Sequence, residues 1–387
     1  MDSTIYLDYQ SSKPVDPEVL DEMLPFFTTK FANASALHLD GDIATSALEK
    51  GREDIASFIK AENSNEIIFT SGATSSNNLA IIGFAMRNRK KGSHIIISEV
   101  EHISIHNISK YLQKNGFEIS KVPVDMYGVV RLDKLKELLR EDTILISIQY
   151  ANNEIGTIQP VSEISEIAHG NGLIFHSDAV AVEGLLPIEV IKDGIDLLTL
   201  SSNDIYGPKG LGALYIRKGV QISPVIIGGG QERGLHSGTE DIASIVGMAK
   251  AAEIAERNMK EESRRLKELR DYLIRNIIDN IPRAYLNGHP ENRLPNNAHF
   301  RFDFIEGESL LLSLKDEGIS VSTGSACSSK TLEPSHALIA TGLLHEEAHG
   351  SLEVTLGRYS TKDDVEKVIS VLPGVVNRLR ELSPLTS

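Results

Sequence analysis

The chain has 387 residues, of which 41% are hydrophobic, so it can bury a large core and form two or three domains. Its 54 acidic and 39 basic side chains leave a formal net charge of -15, which disfavours binding to nucleic acid or to an anionic membrane. We find no run of about 18 apolar residues and no signal-peptide pattern in the first six residues, and we therefore expect a cytoplasmic protein.

Short apolar runs alternate with amphipathic stretches between about residues 65 and 217. This alternation predicts a mostly parallel sheet with helices on both faces. The predicted strands are Glu66–Thr70, His94–Ser98, Thr143–Ile148, Leu173–Phe175, Leu197–Leu200 and Ala213–Ile216.

A long helix is predicted from Ile242 to about Ile278, where charged residues occupy one side, and we expect it to link two domains. A smaller α/β unit follows. Its predicted strands are Ala298–Phe302, Ile319–Ser322 and Leu352–Leu356, and its predicted helices are Glu308–Lys315, His336–Thr341 and Lys362–Leu372. Near the N-terminus, His38 and Asp40 could belong to a metal site, but we interpret them as the start of a hydrophilic helix.

A candidate anion site follows the first predicted strand. Gly72 permits a tight turn there, and Ala73 and Thr74 open a helix whose backbone N–H groups could hold a phosphate. On spacing alone, an ordinary capped helix is the simpler interpretation.

Motifs along nearly the whole chain resemble those of the cysteine desulfurases, which are class-V aminotransferase-type enzymes that use pyridoxal phosphate (PLP). These motifs include Tyr6-Leu7-Asp8-Tyr9, Gly72-Ala73-Thr74, Asn152 to Gly156, Gly207 to Gly210, Leu286 to Pro290, Gly307 to Leu311 and Gly357-Arg358. The resemblance implies an α/β protein with the PLP-dependent transferase fold type I. It implies a large domain with a mixed, mostly parallel seven-stranded sheet (residues 15–260) and a smaller α/β domain (residues 1–14 and 261–387).

The resemblance also assigns residues to the cofactor. They are Ala73, Thr74, His102, Asn153, Asp178, Ser201, Asn203 and Thr239. Thr74 would bind the phosphate, Asp178 would keep the pyridine nitrogen protonated, and His102 would stack on the ring and transfer protons. Without the resemblance, His102 would be interpreted as a solvated loop residue and Asn153 as a turn residue.

Thr239 lies in a segment, Gly228 to Thr239, from which the family's threonine reaches the phosphate of the neighbouring subunit, so the resemblance implies a homodimer. The segment Ser322 to Ser329 resembles the family's loop whose cysteine attacks the substrate sulfur. Cys327 is the only cysteine of the chain, which excludes an intramolecular disulfide and any iron–sulfur site built from this chain's thiolates alone. It can act as a nucleophile and sulfur carrier, or as one ligand of a shared cluster.

Five positions depart from the family pattern, and the first is Asn203, which stands where the family has a histidine. Asp204 stands where the family's lysine forms a Schiff base with PLP, and an aspartate cannot make an imine. Ala181 replaces a glutamine that binds the ring oxygen, and His236 replaces an arginine. Glu353 occupies the place of the arginine that binds the substrate carboxylate, and we expect it to repel that group. Lys209 is already accounted for in the family pattern, so we do not expect it to replace the lost lysine.

We therefore expect weak, non-covalent PLP at most, and we favour a protein of sulfur transfer in iron–sulfur cluster assembly. In this hypothesis the chain docks an iron–sulfur scaffold protein, and Cys327 carries a persulfide or binds a shared cluster. The alternative is a functional cysteine desulfurase that converts L-cysteine to L-alanine with non-covalent PLP. A purely structural dimer is the third hypothesis.

Overall fold

The computed structural model describes residues 4–324 and 334–383. The strands are β1 (Ile5–Tyr6), β2 (Ile67–Thr70), β3 (His94–Ser98), β4 (Glu118–Val122), β5 (Thr143–Ser147), β6 (Ile174–Asp178), β7 (Leu197–Ser201), β8 (Gly212–Ile216), β9 (Ala284–Leu286), β10 (Asn297–Phe302), β11 (Ile319–Ser320) and β12 (Ser351–Thr355). The helices are α1 (Pro17–Thr28), α2 (Leu39–Phe58), α3 (Ala73–Asn88), α4 (Ile103–Lys114), α5 (Leu132–Leu138), α6 (Val161–Gly170), α7 (Ile242–Asn280), α8 (Gly307–Asp316), α9 (His336–Ala340), α10 (His345–His349) and α11 (Lys362–Leu382).

Seven strands form one mixed sheet in the order β2-β8-β7-β6-β5-β3-β4. Only β8 runs antiparallel to its neighbours in this sheet, and the remaining pairs are parallel. The prediction of an α/β fold with a mostly parallel seven-stranded sheet is therefore confirmed.

Both faces of this sheet are buried, because successive side chains of each strand point to opposite sides. Ile95 and Ile97 of β3 pack in one apolar core with residues of α3 and α4. Ile96, between them, packs in the other core with residues of α2, α6 and α7. The continuous apolar runs of the sequence reflect this burial on both sides.

The C-terminal part has its own core and two small sheets. β12, β10 and β9 form an antiparallel sheet, and β1 pairs in parallel with β11. Leu273 of α7, Phe300 of β10, Val354 of β12 and Val368 of α11 meet in this core. The N-terminal strand therefore lies in the C-terminal part of the molecule.

Three of the elements that differ from the sequence predictions show why they differ. β6 continues to Asp178, because His176, Ser177 and Asp178 are polar but buried and keep the ladder with β7. β4 was not predicted, since it is an edge strand with few apolar residues. α11 continues through Pro373 to Leu382, since buried residues beyond the proline hold it against the core.

The interpretation of His38 as a helix start is confirmed. His38 caps α2, and its Nδ1 accepts a hydrogen bond from the Gly41 N–H at 3.1 Å. Across the described residues, no group of three or more His, Cys, Asp or Glu side chains is arranged to hold a metal ion.

The longest helix, α7, has 39 residues but carries many charged side chains. Among the helices of residues 4–324 and 334–383, none is both long enough and apolar enough to cross a bilayer.

Candidate active site

A cavity of about 230 Å³ opens at the carboxyl ends of the parallel strands. Ten residues singled out in the sequence line it: Ala73, Thr74, His102, Asn153, Asp178, Ala181, Ser201, Asn203, Asp204 and Glu353. Open α/β sheets bind their ligands in this place. The fold thus brings most of the candidate site together from six separate stretches of chain.

One wall of the cavity is the start of α3. Gly72 precedes this helix with a φ of 116°, a conformation open to glycine, and no side chain of the described residues caps the helix there. The hydroxyl groups of Thr70 and Ser76, 2.7 Å apart, hold the turn together. Because the first N–H groups of a helix lack partners within it, Ala73 and Thr74 present a seat for an anion.

A chain of hydrogen bonds that passes through Asn77 of the same helix ends on a carboxylate of the cavity. Asp178 Oδ2 accepts from Asn77 Nδ2 at 2.8 Å, and Asn77 Nδ2 also donates to Ser104 Oγ at 3.2 Å. Ser104 Oγ is 2.8 Å from Nδ1 of His102. Asp178 and His102, the two residues assigned to the ring, are therefore oriented by one network.

Asn153 reaches the cavity from a tight turn. The side chain of its neighbour Asn152 accepts hydrogen bonds from the N–H groups of Glu154 and Ile155, at 2.9 and 2.8 Å. Asn152 is 1% exposed, so the turn is built on a buried side chain while Asn153 lines the cavity.

The loop after β7 presents a carboxylate in the place of the expected amine. Asp204 lies in a short 3-10 turn, is buried, and lines the cavity. Burial raises the pKa of Asp204, while Lys13 and hydrogen bonds from Ser201 and Asn203 oppose that rise. Tyr206 ends the turn in a left-handed conformation with a φ of 66°.

Behind this loop lies a buried lysine that the sequence analysis missed. Lys13 is 6% exposed, and its Nζ donates to the main-chain oxygen of Asp204 at 2.5 Å. Burial lowers the pKa of Lys13. In the sequence, Lys13 lies four positions after the Tyr6-Leu7-Asp8-Tyr9 motif. Nothing in that spacing predicts a contact with a residue 191 positions away.

Glu353 lies on β12 and lines the cavity. Burial, together with nearby Glu154, raises the pKa of Glu353 well above its usual value. Its Oε1 accepts a hydrogen bond from Asn297 Nδ2 at 3.2 Å. The raised pKa favours the neutral form of Glu353, and this direction opposes the expected repulsion of a substrate carboxylate.

Thr239 and His236 line a second, smaller cavity of about 120 Å³. Their segment is held by Glu232, whose carboxylate makes two hydrogen bonds of 2.8 Å to the guanidinium of Arg52. His236 Nε2 lies 3.1 Å from Ser75 Oγ of α3. Within one chain, Thr239 is thus separate from the residues that line the first cavity.

Cys327 lies outside the described residues. On the two sides of residues 325–333, the chain passes the same carboxylate: Gly324 lies beside Glu154, and Ser335 Oγ donates to Glu154 Oε2. Gly324 also lines the first cavity. Burial raises the pKa of Glu154 to about 7.

Arg358, the surviving arginine of the C-terminal motif, does not reach the cavity. Its guanidinium pairs with Asp16 at 2.5 Å and Glu262 at 3.2 Å and lies over the ring of Tyr206, 4.2 Å from its centroid. Arg358 thus connects Asp16 of the N-terminal segment with Glu262 of α7 and with Tyr206 in the loop after β7.

Comparison with known proteins identifies relatives over the full length. The sequence profile described as aminotransferase class-V matches residues 5–368. Cysteine desulfurase IscS 1 of Archaeoglobus fulgidus is 56% identical over 98% of this chain and 99% of its own length. Cysteine desulfurase IscS of Methanosarcina thermophila is 50% identical over 99% of this chain and 94% of its own. A solved structure named NifS-like protein superposes with a TM-score of 0.88 at 36% identity, covering 98% of this chain and 99% of that one.

Proposed function

Because the chain belongs to the class-V aminotransferase family and, within it, to the cysteine desulfurases, we propose that it releases sulfur from L-cysteine for iron–sulfur cluster assembly, using PLP held without a covalent bond. The names of the relatives favour this working enzyme over the non-catalytic sulfur carrier that we first preferred. The proposal rests on the cavity itself. Its lining includes the open start of α3, Asp178, and Gly324, which lies three positions before Cys327 in the sequence.

The described residues fit non-covalent PLP. The uncapped start of α3 offers N–H groups and the Thr74 hydroxyl to a phosphate, and Asp178 offers a carboxylate to a protonated pyridine nitrogen. Asp204 cannot provide an amine for a covalent bond. When bound, PLP would supply an electron sink that stabilises negative charge on the substrate carbon.

The protein's own residues would orient the substrate and move protons. Asn77 and Ser104 hold Asp178 and His102 in fixed positions, so that His102 can exchange a proton at the cavity. Glu353, if protonated, would donate a hydrogen bond to the substrate carboxylate, a weaker contact than an arginine would provide. We therefore expect weak binding of L-cysteine.

Cys327 would accept the sulfur. Its thiolate would attack the substrate sulfur, the carbon–sulfur bond would break, and a proton would be added to that carbon to give L-alanine and a persulfide on Cys327. The persulfide would then pass to an iron–sulfur scaffold protein. The approach of the chain to the cavity at Gly324 supports this role.

A homodimer would complete the site. Large apolar side chains are exposed around α1 and α2 and near the Thr239 segment: Phe27 is 57% exposed, Phe31 75%, Leu37 102%, Leu39 81% and Ile227 86%. A second copy of the chain would cover this surface and bring its own Thr239 to the phosphate seat. Sedimentation analysis that finds a monomer at micromolar concentration would exclude this arrangement.

A second candidate function is a non-catalytic carrier, in which Cys327 accepts sulfur from elsewhere or binds a cluster shared with the scaffold. Asp204 favours it, because the acid–base group of the family reaction is missing; losing a positioned acid or base lowers a rate by about 10² to 10⁴.

Two assays separate these functions. Purified protein with added PLP and L-cysteine should produce L-alanine and a mass increase of one sulfur atom on Cys327, and Cys327→Ala should abolish both. Formation of cluster absorbance with a scaffold protein and an external sulfide source, in the absence of any alanine, would instead support the carrier.

A further inference from the structure

The buried surroundings of Asp204 contain a lysine whose position is informative. Lys13 enters from the N-terminal segment, and its ammonium bonds the main-chain oxygen of Asp204 and lies 5.4 Å from the centroid of the Tyr206 ring. The void beside Lys13 and Asp204 measures about 10 Å³, at the lower limit for one water molecule. On this side Lys13 has little solvent to screen its charge, whereas Asp204 also borders the larger cavity.

Two buried acids line the same small void as this lysine. Glu183 is 1% exposed, accepts a hydrogen bond from the Ser201 N–H at 2.6 Å, and leaves its Oε2 without a hydrogen-bond partner among the described residues. Asp204 is 6% exposed. The positive charge of Lys13 lowers the pKa of both acids against the effect of burial.

Other cations near this place are engaged elsewhere or exposed. Arg358 pairs with Asp16 and Glu262. Lys209 is exposed and donates to the main-chain oxygen of Lys13 at 3.1 Å. Lys13 is thus the buried ammonium that acts on Asp204.

We propose that Lys13 and Asp204 are an exchanged charge pair, in which Lys13 supplies from behind the loop the positive charge that the family places at position 204. Lys13 is then a positioning residue: it holds the turn by its hydrogen bond to the Asp204 main chain, and its positive charge stabilises the nearby Asp204 carboxylate. The inference rests on family membership and on the buried geometry, and it does not require that L-cysteine be turned over.

This pairing has a consequence for any attempt to restore the family's lysine. Asp204→Lys alone would place a second ammonium group beside the buried Lys13, and like charges destabilise each other more strongly near the protein interior than in bulk water. Removing the charge at position 13 should relieve that repulsion. A lysine that only anchors the loop by its hydrogen bond would show no such coupling.

The test compares Asp204→Lys, Lys13→Met and the double variant, each first without cofactor. We expect Asp204→Lys to lower the thermal midpoint and Lys13→Met/Asp204→Lys to recover at least half of that loss. The matched control, Lys209→Met/Asp204→Lys, removes an exposed lysine of the same neighbourhood and should recover nothing. If Asp204→Lys does not fold, recovery of folded protein by the Lys13 change, and not by the Lys209 change, is the same result.

The second readout is PLP itself. The double variant should bind PLP at least tenfold more tightly than Asp204→Lys, a difference of about 1.4 kcal/mol, and should show more borohydride-reducible adduct on residue 204. Two results would refute the proposed charge pair. One is an equal recovery of Asp204→Lys by Lys13→Met and by Lys209→Met, and the other is strictly additive effects of Lys13→Met and Asp204→Lys on the thermal midpoint. Because the stability cycle uses no PLP or L-cysteine, its failure is distinguishable from a failure of the proposed desulfurase activity.

Discussion

The hydrogen-bond chain that ends on Asp178 gives a direct prediction for Asn77→Ala. Asn77 is 1% exposed and donates to the Asp178 carboxylate and to Ser104. A hydrogen bond to a charged group contributes about 1.5–3 kcal/mol and a neutral one about 0.5–1.5 kcal/mol. In Asn77→Ala the Asp178 carboxylate keeps the hydrogen bond that its Oδ1 accepts from the Val180 N–H at 3.1 Å, so the loss is that of the two Asn77 bonds alone. We expect a loss of about 2–4 kcal/mol in the free energy of unfolding.

Urea unfolding of the protein without cofactor measures this loss, and PLP titration of the same variant measures its effect on the site. Asn78→Ala is the matched control on the next position of α3, since its Nδ2 makes one exposed bond to the Thr74 main-chain oxygen. PLP affinity should fall by at least tenfold in Asn77→Ala and little in the control. Equal stabilities of the two variants would refute the role of this network in holding Asp178.

Two further predictions concern buried charge. Glu353→Gln should leave stability unchanged at about pH 4 and increase it progressively above about pH 4.5. The reason is that the raised pKa of Glu353 makes the folded protein less stable as the pH rises past the pKa of this residue in the unfolded chain. Thermal unfolding at several pH values tests this, and a stabilisation confined to low pH would contradict it. Arg52→Met should lower the free energy of unfolding by about 3–5 kcal/mol, since it removes the buried ion-pair partner of the Glu232 carboxylate. Arg131→Met, at an exposed ion pair with Asp133, should lower it by at most about 1 kcal/mol. Similar urea midpoints for both variants would show that the Arg52–Glu232 ion pair does not stabilise the Glu232 segment.

Much of the large sheet could be predicted from sequence because its strands are buried on both faces and read as continuous apolar runs. Ile95 to Ile97 are an example. β4 could not be predicted in the same way, since an edge strand needs few apolar residues. Pro373 misled the prediction of α11, because a proline usually ends a helix unless packing beyond it compensates.

The residues of the candidate site also fall into those that the sequence could place and those that it could not. Residues within ordered motifs, such as Thr74, Asp178 and Asp204, could be placed from the sequence because each follows a strand at the same edge of the sheet. The raised pKa of Glu353 could not be predicted, because it follows from burial beside Glu154. Lys13 could not either, since its contact with Asp204 exists only in the folded chain.

Borohydride reduction of the native, PLP-loaded protein, followed by mass spectrometry of the intact chain and its peptides, shows whether this pocket holds PLP without a covalent bond. We expect an unmodified chain that releases all of its PLP on unfolding. A pyridoxyl group attached to any side chain, Lys13 and Lys209 included, would rule out non-covalent binding.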